Sequence, residues 1–344
     1  MRAVARVLLL PALLACASAP PPAPIANPTA DDLAAASLRE SVERISGRVF
    51  NPARLGEARA RAAELGLAAQ GESEWIDWWS FQRNHLITIP GSGEGIAYVV
   101  AHYDKTDVNP FKLASATLNG LIDELVGWTY LGQGAHDNAS GVALALELAR
   151  ELAAREPKLT WRILLTGAEE SGLRGSRAHV ARLSPEEWSR IRFAIDLDTL
   201  GAGDRADCVM NEASDAGLAI RALDLARAEG IPLELGHLPP GSSGDHAPFA
   251  RTSFWHDFGR GLLFNLAGGL LPQRSWFTGG HGTKVLTFAS CDATDWGDFV
   301  AGTVFLPVGR LHGPRDRASR IDAAQLADQL HLLRRLVAEL DAEG

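Results

Sequence analysis

The run Trp161-Arg162-Ile163-Leu164-Leu165-Thr166 constrains this chain more than any other stretch, because it leads directly into Gly167-Ala168-Glu169-Glu170. Branched and aromatic residues packed that densely predict a buried strand. Open α/β sheets place their chemistry beyond the carboxyl ends of their strands. Two adjacent carboxylates at such an end repel each other, and burying both as anions requires compensating positive charge. A metal ion supplies that charge and lets the pair divide the work, one as ligand and the other as general base.

Other segments build a sheet around this strand. Residues 96–100 form a second buried strand, ending at Ala101-His102-Tyr103-Asp104. Residues 191–197 form a third and 303–308 a late one, and 75–89 reads as a β segment before the turn Pro90-Gly91-Ser92-Gly93. Helical patterns cover 33 to about 67, with Leu38, Val42 and Ile45 on one face, 141 to about 155, and 213–228, stopped by Gly230. Asp322 caps a final helix with Gln325 in the capping-box position. Strands alternating with helices predict an α/β fold, a single domain over 33–344 whose twisted, mostly parallel β-sheet is sandwiched by helices. Two stretches do not fit the alternation, about 105–133 and 251–301, and read as insertions that roof a site.

The first residues are not part of that fold. Residues 1–15 have a basic start and an apolar centre, and Leu13-Leu14-Ala15-Cys16 resembles a bacterial lipobox. The expectation is a lipoprotein-type signal peptide, cleavage before Cys16, lipid on its sulfur, and a Pro/Ala-rich tether over 16–32. The alternative is an ordinary signal peptide cut near Ala19. Either way the chain is exported, to the cell envelope in the first case and freely secreted in the second. Contact with a membrane is expected only through the lipid at Cys16. The net charge of -9 with no basic stripe argues against a nucleic-acid partner. Cys208 and Cys291 then remain, either as a disulfide, which export permits, or as two buried thiols.

Candidate ligands sit at three strand ends: His102 with Asp104, Glu169 with Glu170, and Asp196 with Asp198. Two loops add Ala135-His136-Asp137-Asn138-Ala139-Ser140-Gly141 and Gly241-Ser242-Ser243-Gly244-Asp245-His246-Ala247-Pro248-Phe249. Each alone is a weak signal. Asp137-Asn138 before a helix could be a cap, and Asp196 and Asp198 share one face of a strand, so alternation does not choose between them.

As an ordered set they resemble the zinc peptidases of family M28, the aminopeptidase group with two co-catalytic zinc ions, over about residues 38–344. Leu311-His312-Gly313-Pro314-Arg315-Asp316 looks like the His-x-x-x-Asp segment that follows the last ligand in that family. The resemblance implies that His102 and Asp198 hold one zinc, that Glu170 and His246 hold the other, and that Asp137 bridges them, followed by a cis peptide. It implies that Asp104 orients His102 and that Glu169 is the general base, with Asp196 the alternative to Asp198. The chain departs from the pattern in its long stretches after Asp104 and His246, and in Gly244, where the family commonly has Ser. His256, His281, Trp255, Trp276 and Trp296 fall in the second long stretch and read as packing, while His312 is a substrate contact or a structural hydrogen-bonding group. The activity so implied is a zinc-dependent exopeptidase acting on peptides, most simply an aminopeptidase. A single-zinc enzyme like glutaminyl-peptide cyclotransferase, a carboxypeptidase or dipeptidase of the same fold, and a non-catalytic binding module are the alternatives.

Overall fold

Thr29 opens the first helix, α1 (Ala30–Ser46), through a capping box with Asp32. The helix therefore starts inside the stretch read as tether. In this computed structural model the described residues are 29–76, 82–105, 132–170, 172–203, 206–238, 243–250, 282–291, 313 and 315–344. The leader, nearly all of the first long stretch and the expected strand at 303–308 lie outside them.

One expected helix divides in two. α1 stops at Gly47, and α2 (Asn51–Glu64) begins with Pro52 in its first turn. Proline fits a first turn but not a helix interior, which makes the break obligatory. The expected β segment also divides, into β1 (Gly71–Trp75) and β2 (Arg83–Ile89), paired antiparallel. The chain continues through β3 (Ile96–His102), α3 (Ser140–Ala153), β4 (Thr160–Thr166), α4 (Arg174–Arg182), α5 (Pro185–Arg190) and β5 (Ile191–Leu197). It ends with β6 (Asp207–Met210), α6 (Ala216–Glu229), β7 (Leu233–Gly236), α7 (His246–Ala250), β8 (Lys284–Ser290) and α8 (Ala323–Glu343). α6 starts later than the pattern suggested because Asp215 caps it, accepting from the amides of Gly217 and Leu218.

The eight strands form one sheet in the order β1-β2-β4-β3-β5-β8-β6-β7. Its centre, β4-β3-β5-β8, is parallel, and β1, β2 and β6 join antiparallel to their inner neighbours. β8 corrects the reading of 251–301 as insertion throughout. Its residues pair in parallel with β5, Ile195 opposite Leu286, so the stretch supplies a strand of the sheet itself. β6 and β7, four residues each, are too short for a periodic signal.

Alternation along the central strands explains the two layers. Ala97, Val99 and Ala101 face one core with Trp161, Ile163 and Leu165, covered by α1, α3, α6 and α8. Ile96, Tyr98 and Val100 face the other with Leu164 and Phe249, beneath residues of α4, α5 and α7. Cys208 and Cys291 are bonded, with Cα atoms 5.1 Å apart, fastening β6 to the end of β8. Among the described residues no helix is long and apolar enough to cross a membrane.

Candidate metal centre

His102 is the last residue of β3, and its ring is held from behind. Nδ1 lies 3.1 Å from the backbone carbonyl of Asp104. A carbonyl only accepts, so Nδ1 carries a proton and Nε2 is the atom turned toward the site. Nε2 stands 3.1 Å from Asp137 Oδ1 and 3.3 Å from Asp198 Oδ1. One ligand atom from each of His102, Asp137 and Asp198 lies within 4.8 Å of the others. An imidazole nitrogen with two carboxylate oxygens is a donor set that zinc accepts. Charge points the same way. Burial works against a charged His102 ring, but Glu169, Asp104, Asp137 and Asp198 outweigh it and raise its pKa well above the ordinary value. Burial pushes Asp198 up to about 6, opposed by His102 and helped by Asp137 and Asp196. A cation among these groups offsets the excess of carboxylates.

Asp137 is delivered by a short irregular turn, Ala135–Ala139, entered through Gly134 at φ 64. The carboxylate of Asp316 accepts from the amides of Ala135, His136 and Asp137 at 2.7, 2.6 and 3.4 Å. The Asp137–Asn138 peptide is cis. Asn138 locks the turn to β5, donating to the Leu197 carbonyl at 2.8 Å and accepting from the Gly141 amide at 2.9 Å. A Cβ on Gly141 would stand 2.4 Å from Asn138 Oδ1 and 2.4 Å from the Leu197 carbonyl oxygen, so only glycine fits there.

The two acids of the third strand end separate by partner. Asp196 Oδ2 accepts from the His246 amide at 3.0 Å and lies 3.2 Å from His246 Nδ1. It orients the imidazole and leaves Nε2 as the ring's ligating atom. Asp198 faces His102. Asp104 does more than the expected orienting of His102. Its carbonyl orients His102, with its carboxylate Oδ1 at 3.6 Å, while the two carboxylate oxygens accept from the amides of Glu169 and Glu170 at 3.1 and 3.3 Å. One residue thus ties the end of β3 to the turn after β4.

That turn is a tight elbow. Ala168 has φ 56, a region that costs a non-glycine residue about 1 kcal/mol or more, and its amide is held by Gln82 Oε1 at 3.0 Å. Glu169 follows, buried, its carbonyl accepting from Gly172 and Leu173. Burial raises its carboxyl well above the usual range, His102 opposing and Glu170, Asp245 and Asp198 adding. Glu170 is half-buried and His246 buried. Among the described residues these two do not complete a second cluster of three. Asp245 is buried, takes a hydrogen bond from the Thr166 hydroxyl, and is pushed up to about 7 by burial and by Asp196. His256, His281, His312, Trp255, Trp276 and Trp296 lie outside the described residues. The sequence reading missed Gln82 and Arg54. Arg54 alone carried a signal, a cation on the apolar side of α2 beside Leu55 and Ala58.

Residues 84–255 match the sequence model described as peptidase family M28, half of the chain. Aminopeptidase YwaD of Bacillus subtilis is 30% identical over 156 residues, which are 45% of this chain and 29% of that protein. The matched part covers about half or less of the curated relatives' own lengths. A glutaminyl cyclase from an Acidobacteriales bacterium has the same fold, with a TM-score of 0.64 at 16% identity over 94% of this chain and 99% of that one. The LapA aminopeptidase of Legionella pneumophila gives 0.57 at 15% identity over 93% and 77%. With half its length matching that family's model and the acids and histidines gathered at its strand ends, the chain belongs to peptidase family M28.

Proposed function

We propose that this chain is a zinc-dependent exopeptidase with two co-catalytic zinc ions, acting on peptides as an aminopeptidase. The observation that carries the reading is the meeting of His102, Asp137 and Asp198, with Glu169 buried beside them. His102 and Asp198 would hold one ion, Glu170 and His246 the other, and Asp137 both. When bound, zinc lowers the pKa of water and polarises a carbonyl. Glu169, its backbone fixed by Asp104, takes the proton of the attacking water at its carboxylate and returns it to the leaving amine. Asp196 and the Asp104 carbonyl keep the two histidine rings turned inward. The lipobox-like Leu13-Leu14-Ala15-Cys16 supports a lipid-anchored enzyme of the cell envelope.

A panel of peptides with free and blocked amino termini, incubated with and without a chelator, tests this reading. Loss of the free amino-terminal residue, abolished by the chelator, is expected. Release of residues from N-acetylated peptides would refute aminopeptidase action. One zinc per chain with pyroglutamate formation and no cleavage would instead make the enzyme a cyclase.

A further inference from the structure

Arg54, in the first turn of α2, has no solvent exposure. A buried guanidinium is normally matched by a carboxylate. Among the described residues Arg54 has none within ion-pair distance. Its three nitrogens each donate to a different backbone carbonyl: Nε to Tyr103 at 2.5 Å, Nη1 to Gln133 at 2.7 Å and Nη2 to Gly134 at 2.8 Å. Tyr103 lies between His102 and Asp104, and Gln133 and Gly134 lead into the turn that delivers Asp137. One rigid fork therefore grips two of the segments that bring ligands to the metal centre, those of His102 and Asp137.

The neighbours reinforce the grip. Asn51, on the same turn of α2, bonds the backbone of Lys105 in both directions at 3.1 and 3.4 Å. Lys105 Nζ donates to the Gly132 carbonyl at 3.0 Å, a second stitch between the same two segments. A Cβ on Gly134 would sit 3.0 Å from both Arg54 terminal nitrogens, so the glycine lets the guanidinium approach. Burial lowers the Arg54 pKa to about 10, opposed by Asp316, Asp104, Asp137 and Glu170, so the group stays charged near neutrality and faces the acids of the centre.

We propose that Arg54 is a positioning residue of the metal centre, which sets the separation of His102 from Asp137 by holding the carbonyls of Tyr103, Gln133 and Gly134. This rests on the reading of the site given above. Lysine, with one ammonium on a flexible stem, keeps the charge but not the fork. Methionine removes both, and the carbonyls of Tyr103, Gln133 and Gly134 lose Arg54 as a donor, the Gly134 oxygen keeping the Ala139 amide at 3.1 Å.

The test is zinc affinity by competition with a chromogenic chelator, together with the rise in unfolding midpoint on adding zinc, for the wild-type chain, Arg54→Lys, Arg54→Met and Leu55→Ala. Loss of such an outer partner weakens metal binding ~10–100-fold. That loss is expected for Arg54→Met, with Arg54→Lys intermediate, and the zinc-dependent rise in midpoint should shrink in step. Leu55→Ala, which loosens the same helix through its apolar face, should lower the midpoint with and without zinc but leave affinity unchanged. If folded Arg54→Met bound zinc within about threefold of wild type, or Arg54→Lys weakened binding as much as Arg54→Met or more, the inference would be overturned and Arg54 would only hold α2 in place. If the wild-type chain took up no zinc, the reading of the site itself would fail.

Discussion

Asp196 and Asp198 are two residues apart, and alternation along the strand gives no reason to prefer either, although the family resemblance points to Asp198. The choice is made by His246, fifty positions later in the chain, whose amide and ring both settle on Asp196 Oδ2. Sequence shows which residue types end the strands, but the partner that decides between them arrives through the fold. Asp104 makes the same point, because its carboxylate serves two amides that alternation cannot reveal. If the assignment is right, Asp198→Ala should bind one zinc per chain fewer after dialysis. Asp196→Asn should keep the stoichiometry while weakening affinity by roughly 10–100-fold. Metal analysis against chelator concentration separates the two, and a reversed pattern would exchange their roles. Glu169→Gln should retain metal and lose turnover by about 100-fold or more. Near-normal rates would mean that another group accepts the proton.

Elements were legible where one apolar run meets one punctuation mark. β3 is a continuous buried run ending in His102, and β4 and β5 are largely apolar runs, broken only by Arg162, Arg192 and Asp196, that lead into polar residues. β8 was hidden although Val285-Leu286-Thr287-Phe288 is equally apolar, because glycines and aromatics on its amino-terminal side blur its start. The split between α1 and α2 was written in Gly47 and Pro52 and overridden by the helical periodicity on both sides. At this scale the disulfide and Gly141 are the sensitive points. Cys208 and Cys291 close a long loop, 83 residues apart, and replacing both with serine should cost about 2–5 kcal/mol. A urea midpoint unchanged by the double replacement would show that β6 needs no fastening. Gly141→Ala should cost roughly 1–3 kcal/mol and disturb the Asp137 turn, because the Asn138 side-chain amide and the Leu197 carbonyl must both move.

For the molecule as a whole, ionisation near neutrality is costly at a buried position on β6, outside the proposed ligand set. Burial pushes Asp207 up to about 7, opposed by the Gly201 amide, which donates to Oδ1 at 3.1 Å, and by the nearby amide side chains of Gln325 and Gln329. The folded protein keeps this proton where an unfolded chain has released it. The resulting stability is present below pH ~4 and is lost as pH rises through about 7. Asp207→Asn, which stays neutral, should match the wild type near pH 4 and exceed it by roughly 2–4 kcal/mol near pH 8. Urea unfolding at the two pH values checks this, and equal stability at both would place the proton elsewhere. The foot of β4, opposite its glutamates, raises a different matter. Asp341, near the end of α8, accepts from the amides of Lys158 and Leu159 at 3.0 and 2.9 Å and from the Trp161 indole at 2.9 Å. A ribosome that has already made every proposed ligand of the metal centre has therefore not yet made the residue that grips the foot of the strand leading into Glu169 and Glu170. The grip on the foot of β4 therefore forms only after the strand it holds has long been synthesised.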